Sequence, residues 1–491
     1  MLADQFPGRS VRFISAQTGE GVDEWIDAVL TGRVAGERIT TVDYDRYARG
    51  EAVLGWLNAT CNLSATSGTV DWQGFCRELL ESFKDEFAKR AASVGHVKIM
   101  LSTPHVIAAL RAKAGALAAY QAEAGRQAAG YARALEALAA RSEAEVLRAL
   151  EAIPRPGARP TAERVAGRPV VRPFCERWEN HAEARAWALE RLRGVPVLAV
   201  DGSQITPSTD YSVPIGAVQV GWFVNRHDSA LPYEKDIRFE VLVPDDLEVE
   251  GASESFPDLQ VNVRRFELEC RVLIEAMERH SGRNPTPVCL LDGSLALSFA
   301  AQLSPDLQLR YVNAVRALLD ATEQTRVPVV GYVDSSYAGD LVALLAHLEH
   351  CTPPRAISDA LLLSHAMAWG DRTEALTCAR DDHLFALTPD LDYYHRVLFT
   401  YCKTTAPNPP ARLDVPAWVL DAGLLNHVID VVRAECIIGT GYPYAAETAD
   451  AVAVLSLSDR ERFYRTVQEY SQQLGIDLRY ARKAASKRAR R

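Results

Sequence analysis

The tripeptide Asp-Gly-Ser occurs twice, at 201–203 and 292–294, each time directly after a run of β-branched and leucine residues. An acid at the carboxyl end of a buried strand points into the crevice where open α/β sheets bind ligands. The glycine that follows lets the backbone turn sharply and a ligand approach. Two such acids, Asp201 and Asp292, on neighbouring strands repel one another unless they are protonated or bridged by a divalent cation. Hard carboxylate oxygens suit Mg²⁺ or Mn²⁺. Asp-Gly is also ordinary turn chemistry after a strand; it is the second copy in the same context that favours a metal site.

Two further acids join them. A helix expected over about 266–280 carries the apolar stripe Phe266, Val272, Leu273, Ala276 and Met277. Glu269 falls on that stripe, whereas Glu267 and Glu275 project toward solvent. A carboxylate on a core-facing stripe is costly unless paired or metal-bound, so Glu269 is the first choice and the other two are fallbacks. Its bland alternative is a stripe-edge glutamate whose carboxylate reaches water. Late in the chain, Gly441-Tyr-Pro-Tyr places Pro443 in the first turn of a helix and Tyr442 at its mouth. Asp450 then lies two turns in, on the face of Ala446 and Val454, as a buried acid in need of a partner.

The elements that must hold these acids alternate. Strands are expected at 195–203, 213–224, 237–243, 288–292 and 327–333, the last ending on Asp334, with helices near 182–192 and 266–280. Such alternation argues for an α/β sheet. Residues 104–153 are rich in Ala, Leu, Glu and Arg and read as one long helix or a helical hairpin. Gly115, Gly125 and Gly130 weaken it by about 1 kcal/mol each relative to Ala. Residues 154–160, Pro-Arg-Pro-Gly-Ala-Arg-Pro, read as a linker-like breaker. Upstream, a strand-like run at 11–15 leads through a Gly-punctuated loop to a helix near 23–30, and the chain ends in a basic tail, 479–491.

Composition narrows the classes. The 491 residues are 48% apolar and 24% charged, enough to bury a core, so whole-chain disorder is excluded. No run approaches the roughly 20 apolar residues of a membrane span, and the N-terminus lacks a signal-peptide pattern, which points to the cytoplasm. Nine scattered cysteines without a C-x-x-C pair argue for reduced thiols, not disulfides or a thiolate zinc site. A net charge of −10 leaves polyanion binding to local basic groups. His347, His350 and Cys351 lack a fourth zinc ligand at a signature spacing and read as a polar helix face.

The order Asp201-Gly-Ser, a helical Glu, Leu-Leu-Asp292-Gly-Ser-Leu and a late Gly-Tyr-Pro-Tyr…Ala-Asp resembles the NurA nuclease family, over residues 100–475. The resemblance implies an RNase H-like α/β fold: a mixed sheet flanked by helices, with a long N-terminal helical region. It also implies Mn²⁺-dependent 5′→3′ exonuclease and single-strand endonuclease activity (Mg²⁺ as a substitute) by a two-metal mechanism. As partners it implies DNA, a second copy of the chain and a HerA-type hexameric translocase at DNA ends. Carried over by position, Asp201, Glu269 and Asp292 match the metal acids and Tyr442 the active-site tyrosine. Asp450 falls where archaeal members have a histidine. Two ions would share Asp201, with Glu269, Asp292 and Asp450 completing their shells, and Tyr442 would orient a phosphate or stack on a base. Arg372, Lys403 and Arg412 are candidates for phosphate contacts, set against the reading that they are ordinary surface charges. The basic tail has the same two readings.

Residues 1–99 resemble something else. Phe13-Ile-Ser-Ala-Gln-Thr-Gly-Glu-Gly is similar to the guanine-contacting loop of HypB- and CobW-like GTPases, and the run starting Tyr44-Asp-Arg-Tyr is similar to a segment downstream of it. No G-x-x-x-x-G-K-[ST] phosphate loop exists in the chain, so this region reads as a GTPase fragment without nucleotide hydrolysis. The expected organisation is therefore 1–99 GTPase-like fragment, 100–160 helical region, 161–478 nuclease domain and 479–491 tail. The competing function, from a different class, is a non-catalytic DNA-end clamp or scaffold for the translocase.

Overall fold

A computed structural model describes residues 71–89, 104–208, 211–228, 230–247, 257–352, 354, 357–473 and 475. The GTPase-like motifs near residues 13 and 44 and the basic tail at 479–491 lie outside the described residues. The chain divides into two compact units, Met1–Thr103 and Pro104–Arg491. Of the first, the described part is one helix, α1 (Trp72–Lys89).

The second unit opens with α2 (Pro104–Ala139), a single 36-residue helix. Its front half leaves Leu110, Leu117 and Tyr120 exposed, while Leu135 and Leu138 enter the core. It stops at a short break and α3 (Glu143–Ala149) begins under a capping box: Ser142 Oγ accepts from the Glu145 N–H, and the Glu145 carboxylate accepts from the Ser142 N–H. The expected linker at 154–160 is instead partly strand: β1 (Gly157–Pro160) pairs antiparallel with β9 (Leu376–Ala379) and buries Ala158. Proline is tolerated there because β1 is an edge strand.

After β2 (Val171–Arg172) and α4 (His181–Leu192), the chain builds the part of the sheet that matters most. β3 (Val197–Ile205), β4 (Gly216–Asn225) and β5 (Glu234–Leu242) form an antiparallel meander. The long helix α5 (Pro257–His280) then crosses to β6 (Val288–Asp292), which lies parallel to β3, and α6 (Pro305–Thr325) crosses to β7 (Val329–Val333), parallel to β6. Apolar, β-branched runs such as Val197-Leu-Ala-Val suit strands covered on both faces. Beyond α7 (Asp340–Leu348), β8 (Arg372–Thr373) and β9, the strands β10 (Val397–Cys402) and β11 (Ala411–Pro416) extend the sheet antiparallel. The helices α8 (Leu425–Ile438), α9 (Tyr444–Ala453) and α10 (Leu457–Gln473) follow. Among the described residues the sheet has eleven strands, in the order β1-β9-β10-β11-β7-β6-β3-β4-β5 with β2 and β8 to the side.

Two cores sandwich it. Leu198 and Val200 of β3 point to the side packed by α5, α6 and α7. Val197 and Ala199 point to the side packed by α4, α8 and α9. The mixed α/β architecture expected from the sequence is the one observed. Among the described residues no helix is long and apolar enough to cross a membrane.

Candidate active site

Register fixes where the strand acids point. Val200 of β3 stands beside Leu291 of β6, so the next residues, Asp201 and Asp292, stand side by side. In-register neighbours on parallel strands share a face. Both acids follow the alternation that puts Ala199 and Leu290 on the α8–α9 side, so both face that side. Asp334 comes just after the end of β7, and its charge acts on the Tyr332 and Tyr442 hydroxyls.

On that face α9 brings Asp450. The approach is possible because Gly221 of β4 is paired with Asp201. A Cβ on Gly221 would lie 2.7 Å from the backbone nitrogen of Ala453 and 2.9 Å from Cγ1 of Val452. The helix seats on the sheet through Ala445, Ala446, Ala449 and Ala453, all buried. Its first turn is held by Glu435 of α8, whose Oε2 accepts the Ala445 N–H at 2.7 Å. Asp450 is exposed, which corrects the expectation of a buried acid. The helix ends at Ala453, so Val454 is half exposed and defines no core face. Asp450 nevertheless reaches the site: Asp201, when protonated, donates to its carboxylate.

Glu269 comes from the opposite face, through a gap in the strand. Gly202 has no side chain, and a Cβ there would run into Glu269 Oε1 and the Arg265 side chain. Glu269 is buried, and of the three glutamates considered it is the one that Asp201 and Asp292 act on. Glu267 is held by Arg310 through two 2.7 Å bonds, and Glu275 by Arg238 at 2.8 and 2.7 Å. Arg265, one turn before Glu269, donates from Nη1 to Glu269 Oε1 at 2.7 Å and to the Gly202 carbonyl at 3.1 Å.

The electrostatics are lopsided. Burial pushes Asp201 up to about 6; the Gly202 backbone N–H opposes this, while Asp450 and Asp292 add to it. Burial pushes Glu269 up to about 7 against the pull of Arg265, with Asp201 and Asp292 reinforcing the rise. The Tyr442 hydroxyl is raised far above the usual phenol range by burial and by Asp292, to which it donates. Its ring packs edge-on against Tyr332 with centroids 5.0 Å apart. That contact and the bond to Asp292 make Tyr442 a holder of the acid.

Among the described residues, no three His, Cys, Asp or Glu side chains already stand close enough together to hold a metal ion. The donor chemistry nonetheless fits one. Four carboxylates act on one another here, of which Arg265 pairs with Glu269; two of them are pushed toward the neutral form, and a divalent cation supplies the charge such a cluster lacks.

The three candidate phosphate contacts are placed elsewhere than expected. Arg412, on an inner strand, is 1% exposed and pinned between Asp340 and Asp414, with its guanidinium 4.1 Å from the centroid of Phe399. Arg372 is buried against Glu163 and Asn426. Lys403 is 5% exposed and donates to the Asn408 carbonyl at 2.6 Å. None is a surface cation, and each has its partners inside the protein. The residues that sequence reasoning missed are Arg265 and Gly221; Gly202, expected to turn the chain, instead lies within β3 and makes room for Glu269. The (i, i+4) spacing of Arg265 to Glu269 was the one readable sign among them.

A family model described as the NurA domain matches residues 195–455, which span the whole acidic cluster. No curated protein matches the chain. Among solved structures, NurA with manganese is 10% identical over 57% of this chain and 90% of that one, with a TM-score of 0.35. NurA bound to dAMP and manganese is 10% identical, covering 54% and 85%, with a TM-score of 0.28. An endonuclease V from Bacillus subtilis is 15% identical, covering 55% and 82%, with a TM-score of 0.27.

Proposed function

The chain belongs to the NurA domain family, and from that premise we propose that it is a divalent-metal-dependent nuclease hydrolysing DNA phosphodiester bonds at the Asp201 cluster. The observation that carries the reading is the convergence of Asp201, Asp292 and Asp450 on one side of the sheet with Glu269 entering at Gly202. Asp201, Glu269, Asp292 and Asp450 would hold the metal, with Mn²⁺ or Mg²⁺ as the ions and two per site. Bound there, such ions supply positive charge that acidifies water and offsets charge building on the phosphate and the leaving oxygen.

The chain's own groups do the rest. Asp201, flanked by Asp292 and Asp450, would be the acid shared by the ions. Tyr442 keeps its proton and donates a hydrogen bond to Asp292, which would fix that carboxylate's orientation. Glu435 anchors the start of α9 and so the position of Asp450. Asp292 and Asp450 are exposed, which leaves the mouth open to a polymer strand, while Glu269 closes the inner end.

The finer reading is 5′→3′ and single-strand cleavage by a cytoplasmic homodimer seated on a HerA-type translocase. It rests on the family resemblance, and sedimentation of the chain with such a hexamer tests it. The activity itself is tested by manganese-dependent degradation of end-labelled DNA. Wild type should degrade it and Asp201→Ala should not while retaining its circular dichroism spectrum. Unchanged cleavage by that variant would refute the site, and no cleavage by folded wild type would favour the scaffold reading.

A further inference from the structure

The acidic cluster holds a guanidinium that the cleavage chemistry does not use. Arg265 Nη1 bridges Glu269 Oε1 at 2.7 Å and the Gly202 carbonyl at 3.1 Å, exactly one helical turn of separation from the acid it holds. Three features mark this contact as exchangeable and not structural. The Arg265 side chain is 30% exposed, whereas Glu269 is 6% exposed, so the arginine has a route to solvent and the acid does not. Arg265 Nε is buried with no hydrogen-bond partner, so the guanidinium is incompletely satisfied where it sits. Nearby arginines have dedicated partners away from the cluster: Arg264 of α5 holds Glu240, and Arg310 of α6 holds Glu267.

Building on the metal-site reading, we propose that Arg265 is a latch on Glu269: a built-in cation that satisfies this buried acid in the metal-free protein and must be displaced for a divalent ion to claim it. The physical reason is charge. An acid as buried as Glu269 is costly when unpaired, so the fold needs a cation there before the ion arrives. A guanidinium on a partly exposed stem meets that need and can leave. The competition is a plain exchange, with one cation replacing another on the same carboxylate and no covalent change.

The test is calorimetric titration of the full chain with Mn²⁺ alone, with no DNA present. Arg265→Gln keeps a polar, hydrogen-bonding side chain and removes its charge; it should bind Mn²⁺ about 10-fold more tightly than wild type, equivalent to about 1.4 kcal/mol. Arg265→Lys, which keeps the charge, should stay near wild type. In a Glu269→Gln background the Arg265→Gln gain should vanish, because no carboxylate is left to contest. Equal or weaker binding by Arg265→Gln, with wild type binding normally, overturns the latch and leaves the metal site standing. Failure of wild type and Arg265→Gln alike to bind overturns the metal site and the latch with it. Thermal melts of each variant establish that the compared proteins are folded.

Discussion

Two clusters of carboxylates among the described residues are balanced differently. Around Arg412, the guanidinium groups of Arg380 and Arg412 meet Asp340 and Asp414 in direct ion pairs. Burial alone would raise Asp340, but Arg380 and Arg412 overcome it and hold the acid down at about 2. Around Asp201, Arg265 pairs with Glu269, and burial wins: Asp201 rises to about 6 and Glu269 to about 7. The first cluster is closed on itself and holds α7 and β11 together. The second is left short of positive charge at the edge of a crevice. Carboxylates pushed up by burial at the edge of a crevice mark a candidate binding site.

The sharpest way to break this comparison is to neutralise one acid in each cluster's counterpart role. Asp201→Asn should lose several kcal/mol of transition-state stabilisation, about 1000-fold or more in DNA cleavage, while the metal-free protein melts no lower than wild type. A lower melting temperature would make Asp201 structural. In the balanced cluster, Arg412→Ala should do the reverse by stranding Asp340 and Asp414. It should cost about 3–5 kcal/mol in urea unfolding, and cleavage by the fraction that stays folded should be kept. A drop in turnover at unchanged stability would instead make Arg412 part of the site.

A smaller effect sharpens the geometry. Gly221→Val puts a side chain into the backbone of α9, which should cost about 1–3 kcal/mol and move Asp450 away from Asp201. Cleavage should then fall further than the stability loss explains, measured at a temperature where the variant is fully folded. Wild-type turnover would show that Asp450 is dispensable. The smallest effect is in pH. Asp201 and Glu269 have folded values above their ordinary 3.8 and 4.5, so the native state holds extra protons between about pH 4 and 7. Their contribution to stability therefore falls as pH rises through that window. Asp340 has the opposite sign: it stabilises above its ordinary 3.8 and loses that contribution as pH falls toward 2. Thermal melts of the metal-free Asp201→Asn, Glu269→Gln double variant should show a weaker decline from pH 5 to 7 than wild type. An identical decline would assign it to other groups.

Much of the site was legible because strand chemistry is local. An acid and a glycine directly after a β-branched run announce the end of β6 at Asp292; β3 instead runs on past Asp201 to Ile205, and it is parallel register that makes neighbours of Asp201 and Asp292. Glu269 was legible for a similar reason, since helical periodicity puts it on the buried stripe. Asp450 was misjudged because its face was drawn through Val454, one residue past the end of α9. Arg412 was misjudged because an arginine in a short stretch carries no sign that β10 and β7 will enclose its strand. The linker at 154–160 became strand β1 through pairing with a partner more than 200 residues away, which no local pattern encodes. What stayed hidden was long-range: which glycine lets which helix approach, and which arginine faces which acid.

The central claim is that acids far apart in the chain meet to hold divalent ions. Its most direct test is a crystal of the protein soaked in Mn²⁺ and measured for anomalous scattering. The account predicts an ion peak within about 2.0–2.6 Å of oxygens from Asp201 and Asp292. Fully occupied Mn²⁺ elsewhere in the crystal with no peak between those two carboxylates would contradict it.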